Sequence, residues 1–265
     1  MANKILVYSR NGEFLRYFSL PGTEDGSLFG DIDFINSDLF VAQYINVGQA
    51  QYNWIIIDTA GNIKAKKENS VPAFKTGMGT RGGICRFGDK FGYWNTFNDT
   101  VFSVFPDFSY EASFLFAAGE HRIPRSAESG NPEGWKKWMF PYNLFETDQF
   151  LVFRYSYNYS ACALIDKKNG KVYLENIDDW ETEDKGILNN LDGGTRFIPH
   201  KYLKENDREY LIGSLDPLKL KKHIAGEDFK GNKPEYPEKK EALKKLADGM
   251  QETGSTILMI VRLKK

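Results

Sequence analysis

The chain has 265 residues, 41% hydrophobic and 15% aromatic, enough to fill a substantial core, and its 24 glycines favour strands and turns over long helices. With 35 basic residues against 36 acidic the formal net charge is -1, so no global positive field gathers a polyanion, and nucleic acid is not an expected partner. No run approaches the roughly 18 apolar residues of a membrane span, and the N-terminus shows no apolar signal-peptide core.

The first expected strand, Lys4 to Ser9, turns at Asn11-Gly12 into a second, Glu13 to Ser19; Asn-Gly between alternating segments is a strong hairpin signal because both turn positions need positive φ. A linker from Leu20 to Gly30 leads to four strands at Asp31 to Ile35, Leu39 to Ile45, Tyr52 to Asp58 and Asn62 to Lys66. Four more are expected near Ile84 to Phe87, Lys90 to Trp94, Thr100 to Phe105 and Ser109 to Phe116. A third set starts near Phe140 and continues through Phe150 to Tyr155, Ser160 to Asp166 and Lys171 to Glu175. The two cysteines, Cys85 and Cys162, fall in apolar strand-like runs, where a free thiol acts as a small buried hydrophobe. After Asn176 come an acidic stretch, the turn Gly193-Gly194, and short strands at Thr195 to Ile198 and Glu209 to Gly213. Two helices follow. Asp216 caps the first, with Pro217 at its first helical position; the second starts at Pro237 and carries Ala242, Leu243, Leu246 and Ala247 on one stripe. An apolar strand, Thr256 to Leu263, closes the chain.

One unit recurs: a β-branched run, a turn closed by glycine, then an alternating strand. It reads Ile5-Leu6-Val7 to Gly12, Ile55-Ile56-Ile57 to Gly61, and Ala163-Leu164-Ile165 to Gly170, with a degenerate copy at Val101 to Tyr110. A repeat of about 50 residues means a β-propeller or another array, and the expected fold is an all-β β-propeller of four-stranded antiparallel blades carrying two short C-terminal surface helices, read as a single domain. The count is two strands, three four-stranded blades, then roughly three strands, or four to five blades; an opening half-blade is the mark of an incomplete ring.

The opening Lys4 to Arg16, the turn Asn98-Asp99-Thr100-Val101-Phe102, the stretch Leu191 to Pro199, the helical tail Tyr236 to Asp248 and the closing Thr256 to Lys264 together resemble a bacterial family of six-bladed β-propellers, exported and often lipid-anchored, related in form to NHL-repeat propellers. The resemblance covers nearly the whole chain, although Gly254-Ser255 stand where an Asn-Pro pair is common. It implies a periplasmic or cell-surface full-length form with an export signal and about two further blades ahead of Met1; taken as complete, the chain would be cytoplasmic. It implies no shared catalytic activity.

In a blade that begins with its inner strand, the links between blades emerge at one end and the short glycine turns at the other. The long insertions, Lys66 to Gly83, Ala117 to Met139 and Asn176 to Thr195, therefore crowd one rim, where long loops on a rigid scaffold carry function. The richest of them holds His121, Arg122 and Arg125, then Trp135 and Trp138; arginine and tryptophan dominate binding hot spots, and paired aromatics stack on sugars or peptide groups. Tyr155, Tyr157 and Tyr159 fall around the adjacent turn. Tyr157 and Asp192 complete the expected ligand-binding set, and the bland alternative is that these aromatics only fasten the loop to its blade. The acidic run Asp178 to Asp184 lacks the glycine and glutamate spacing of a calcium loop and reads as a solvated face; His121, His200 and His223 have no metal-ligand spacing. No nucleophile elbow or phosphate loop is present.

The first functional expectation is a non-enzymatic binding or scaffold propeller with a peptide, glycan or protein as partner and no cofactor. The alternative is a calcium-dependent lactonase-like or NHL-lyase-like enzyme with a metal in the central channel, for which Asp31, Asp33 and Asp192 are the visible candidates. A third reading is a fragment whose exposed blade edge invites dimerisation or aggregation.

Overall fold

Three hairpins are built by one device, a side-chain oxygen at the end of one strand that accepts the amides of the turn, and in a fourth the acceptor, Asp107, lies within the turn itself. In the computed structural model, which describes residues 4–21, 29–36, 38–43, 50–69, 82–116, 119–125, 136–178, 185–251 and 254–264, Ser9 Oγ accepts from the Asn11 and Glu13 amides. Asp58 Oδ1 accepts from those of Ala60 and Asn62 at 2.9 Å each. Asp107 accepts from Ser109 at 3.0 Å and Asp166 from Lys168 at 2.8 Å. The residue closing the turn sits at positive φ: Gly12, Gly61 and Gly170 at 83°, 94° and 70°. In the degenerate copy Phe108 occupies that place at φ 69°, and its ring rests partly buried against the core.

Among the described residues the strands form five sheets. β1 (Lys4–Tyr8) pairs with β2 (Phe14–Ser19). Three four-stranded meanders follow: β3 (Phe29–Ile35), β4 (Asp38–Gln43), β5 (Tyr52–Ile57) and β6 (Ile63–Glu68); β7 (Gly82–Phe87), β8 (Lys90–Asn95), β9 (Asn98–Val104) and β10 (Tyr110–Leu115); β11 (Phe140–Glu146), β12 (Phe150–Tyr157), β13 (Tyr159–Asp166) and β14 (Val172–Asp178). The last sheet has the order β15 (Lys201–Glu205), β16 (Arg208–Leu215), β17 (Ile257–Arg262). The expected all-β class therefore stands, as four blades in propeller-like succession plus the β1–β2 hairpin. Among the described residues three helices, not two, lie near the C-terminus: α1 (Pro217–Ala225), α2 (Glu227–Gly231) and α3 (Pro237–Asp248). Among the described residues no helix is long and apolar enough to cross a membrane.

The chain divides into two compact units, residues 1–146 with 153–158 and residues 147–152 with 159–265, the boundary passing through β12. In the first unit β7 lies against β3 and β4 on one side and β11 on the other, so the first strand of each meander is the inner one. Two cores fill the spaces between its sheets. One joins Ile35, Trp54 and Ile56 to Phe91, Tyr93 and Val104; the other joins Leu39, Ile55 and Ile57 to Ile5 and Phe18 of the hairpin. Strand β5 is thus covered on both faces, which is why its sequence is an unbroken apolar run rather than an alternation. Each isoleucine buried there contributes about 2–3 kcal/mol.

In the second unit Asp216 caps α1 by accepting from the Leu218 and Lys219 amides, as expected from the sequence. Leu220, Phe229 and Ala247 are the buried anchors of the three helices; Ala242 and Leu246, assigned to the apolar stripe of α3, are exposed. The expected strand at Thr195 to Ile198 is a single bridge between Ile187 and Phe197, and β15 occupies a segment to which the sequence reading assigns no element. Both cysteines are free and buried, as expected, and burial pushes the Cys85 thiol up to about 12.

Candidate functional site

In the first unit the starts of the inner strands, the β8–β9 turn, the end of β12 and the link between β10 and β11 share one end of the blades, because successive strands alternate in direction. Gly119–His121 forms a short 3-10 turn, and the Met139 amide donates to the His121 carbonyl at 2.8 Å, closing the link back on itself. Ile123, 3% exposed, drops from this loop onto Phe97, and Trp138 and Phe140 pack partly buried beside them. The β8–β9 turn beneath is held from inside: the Phe97 amide donates to Asn95 Oδ1 at 3.1 Å, and Asn95 Nδ2 donates to the Tyr93 hydroxyl at 3.1 Å. Burial raises the Tyr93 phenol above its usual range, so this hydroxyl stays neutral and available as an acceptor.

Arg122 ties the loop to this turn. One guanidinium nitrogen donates to the Phe97 carbonyl at 3.0 Å and another lies 3.0 Å from Asp99 Oδ2, so its fork is engaged within the protein although 42% of the side chain is exposed. His121 and Tyr157, both half-buried, bring their rings to 4.6 Å between centroids at an interplanar angle of 49°. The same side of β12 carries Tyr155 and Phe153, stacked at 5.5 Å, and Phe153 stacks in turn on Phe116 at 4.8 Å. Alternation of Phe153, Tyr155 and Tyr157 at every second position is the strand period that places all three rings on one face. That period was available in the sequence; Phe116 and Phe153 were the missed members of the ladder.

The structure thus brings together His121, Arg122, Trp138 and Tyr157 on one rim, with Arg125 exposed on the same loop. Trp135 lies outside the described residues. Asp192 belongs to the second unit, where its Oδ1 accepts from Asn189 Nδ2 at 2.7 Å and the Gly194 amide at 2.9 Å, shaping the Gly193-Gly194 turn. On the first unit's inner strand β3, Asp33 accepts from its neighbouring Phe34 amide and Asp31 from the Ile84 amide at 3.3 Å. Gly83 makes the second approach feasible, since a Cβ there would stand 2.8 Å from Asp31 Oδ2. Among the described residues no three or more histidine, cysteine, aspartate or glutamate side chains gather as a metal site. Ser103 accepts from Lys90 Nζ at 3.1 Å, and that amine lies 3.6 Å from Glu146; with Ser103 at 2% exposure the group serves the interior.

The whole chain is similar in fold to a candidate exported protein from Bacteroides fragilis NCTC 9343, at 19% identity and TM-score 0.62, covering 100% of this chain and 72% of that one. It is also similar to virginiamycin B lyase from Staphylococcus aureus, at 14% identity and TM-score 0.43, over 79% of this chain and 56% of that one. A protein of unknown function from Bacteroides caccae matches at 9% identity and TM-score 0.41, over 79% and 64%. No curated protein matches. The family described as Domain of unknown function (DUF4934) matches residues 1–262, and the chain belongs to that family.

Proposed function

We propose that the protein is a non-enzymatic binding propeller whose first-unit rim holds a peptide or glycan. The observation that carries this reading is the half-buried His121–Tyr157 ring pair, set on a loop fastened by the Arg122 clamp and bordered by Trp138 and the exposed Arg125. Rings fixed in this way lose little freedom when a flat ligand face settles on them, and such stacking contributes about 0.5–1.5 kcal/mol per ring beyond area burial. Arg122, with its donors engaged by Asp99 and Phe97, acts as the fastener rather than the ligand contact. We read the blades as those of a six-bladed, NHL-like propeller working outside the cytoplasm; the inner-first four-stranded meanders and the likeness to the Bacteroides fragilis protein support this.

Thermal unfolding in the presence of oligosaccharide and peptide panels tests the binding reading. A ligand at 100 times its dissociation constant stabilises by about 2.7 kcal/mol. The expected result is a raised midpoint for the wild type with one ligand class and no rise for Tyr157→Ala. If neither class moves the wild-type midpoint, or Tyr157→Ala responds equally, the reading fails.

A further inference from the structure

Strand β14 closes its meander as the outermost of four strands, in the order β11-β12-β13-β14. Val172, Tyr173 and Leu174 follow one another on it and are 55%, 45% and 52% exposed, so both faces of this strand carry apolar surface. Tyr173 meets the Phe150 ring edge-on at 6.5 Å, and Lys171 Nζ lies 4.7 Å from the Tyr173 ring centroid. Lys171, Tyr173 and Glu175 thus share one face, and Val172 and Leu174 share the other. The Asp166 amide donates to the Lys171 carbonyl at 2.9 Å. Antiparallel alternation carries this inward bonding on to Tyr173 and turns the amides and carbonyls of Val172 and Leu174 to the far edge. The outer strands of the other two meanders are blunted against pairing: β6 carries Lys64, Lys66 and Lys67, and β10 is broken by a register shift between Ala112 and Phe114. β14 keeps an even register with β13 from Val172 to Asn176 and has neither device.

We propose that β14 pairs antiparallel with β14 of a second copy around a two-fold axis at Tyr173, joining two blades edge to edge. The run Lys171-Val172-Tyr173-Leu174-Glu175 is complementary to its own reverse. Lys171 faces Glu175 of the second copy, Val172 faces its Leu174, and Tyr173 faces its own counterpart on the axis. Val172 and Leu174 then exchange the main-chain bonds that point to this edge, while the two tyrosines form a non-hydrogen-bonded pair. A shift by one residue would oppose the outward-pointing Val172 to the inward-bonded Tyr173, and a shift by two would part Lys171 from Glu175. The isologous contact closes on itself and stops at two copies. A standard interface covers about 800 Å² per partner, more than so short an edge supplies, so the association is reversible, with a dissociation constant on the order of 100 µM. It uses none of the rim residues and stands apart from the binding reading.

Sedimentation velocity of the full chain, from about 5 to about 500 µM to span the expected constant, reads the state directly. The expected result is a monomer that converts to a dimer over this range. Lys171→Glu sets carboxylates opposite each other at both ends of the contact and should weaken the dimer by about tenfold or more, as should Glu175→Lys. The two exchanges combined restore opposite charges and should restore the wild-type constant. Circular dichroism of the dilute variants should match the wild type, because both positions are on the surface of an outer strand. Tyr173→Cys should give a disulfide-linked dimer under mild oxidation, since a non-hydrogen-bonded pair brings the Cα atoms to about 4.5 Å. Cys85 and Cys162 are buried and do not compete. A chain that stays monomeric across the range overturns the proposal, as do open-ended oligomers, a dimer indifferent to Lys171→Glu, a double exchange that fails to restore it, and a Tyr173→Cys protein that does not cross-link.

Discussion

Strands β1 and β5 carry the same signature, Ile5-Leu6-Val7 and Ile55-Ile56-Ile57, each followed by a turn closed by glycine, yet they end in opposite environments. The turns share their hydrogen bonding: the Gly12 amide donates to the Ser9 carbonyl and the Gly61 amide to that of Asp58. Ile55, Ile56 and Ile57 are 0% exposed because sheets lie on both sides of β5, whereas Leu6 is 53% exposed. Local sequence writes the strand and the turn, and the neighbours write the burial. The largest test of that contrast is truncation at the two sites. Ile56→Ala should destabilise the fold by about 3–4 kcal/mol, the sum of lost transfer energy and an unfilled cavity. Leu6→Ala, measured in dilute protein, should stay within about 0.5 kcal/mol of wild type as an exposed substitution. Equal losses in denaturant titrations would mean that the β1 face is covered in solution.

The comparison also explains what was legible beforehand. The meanders could be read because an apolar run, a side-chain turn acceptor and a positive-φ residue are all local. β15, with the sequence Lys201-Tyr202-Leu203-Lys204-Glu205, was missed because its charges hid the alternation, and only pairing with β16 makes it a strand. Thr195 to Ile198 has a strand-like alternation, but Phe197 finds a single bridge partner, so no ladder propagates. At the rim, the residue types were visible and their partners were not. Arg122 stands 23 positions from Asp99 in sequence, and nothing local says that its charge is spent on that carboxylate.

The glycine positions give a smaller contrast. Gly12 and Gly61 both need the left-handed region, at φ 83° and 94°, and an alanine costs roughly 1–2 kcal/mol there from backbone strain. A Cβ at Gly12 would meet nothing within 4 Å, while one at Gly61 would stand 3.2 Å from Phe18 Cβ, a packed ring with little room to yield. Gly61→Ala should therefore lower the unfolding midpoint more than Gly12→Ala. The reverse order would show that Phe18 is free to move, and that the β1–β2 hairpin is held to its neighbour less tightly than the geometry states.

The smallest effect separates the hairpins by the chemistry of their turn acceptors. Ser9 does not titrate, but Asp58, Asp107 and Asp166 do, and all three carboxyls are held below the usual carboxylate range. The leading causes are the Asn62 side chain for Asp58, the Ser109 hydroxyl for Asp107 and the Lys168 amide for Asp166. A carboxylate whose pKa is depressed on folding contributes its full stabilisation above the unfolded value, about 3.9, and loses it as pH falls through the folded values. Acidification below about pH 4 should therefore loosen the β5–β6, β9–β10 and β13–β14 turns, with Asp58, held lowest, the last to yield, while the β1–β2 turn keeps its serine acceptor. Amide exchange at Asn62, Ser109 and Lys168, compared with Asn11 across this range, reads the difference directly. Acid-induced exchange at Asn11 equal to that at the other three would mean that the carboxylates are not what closes these turns.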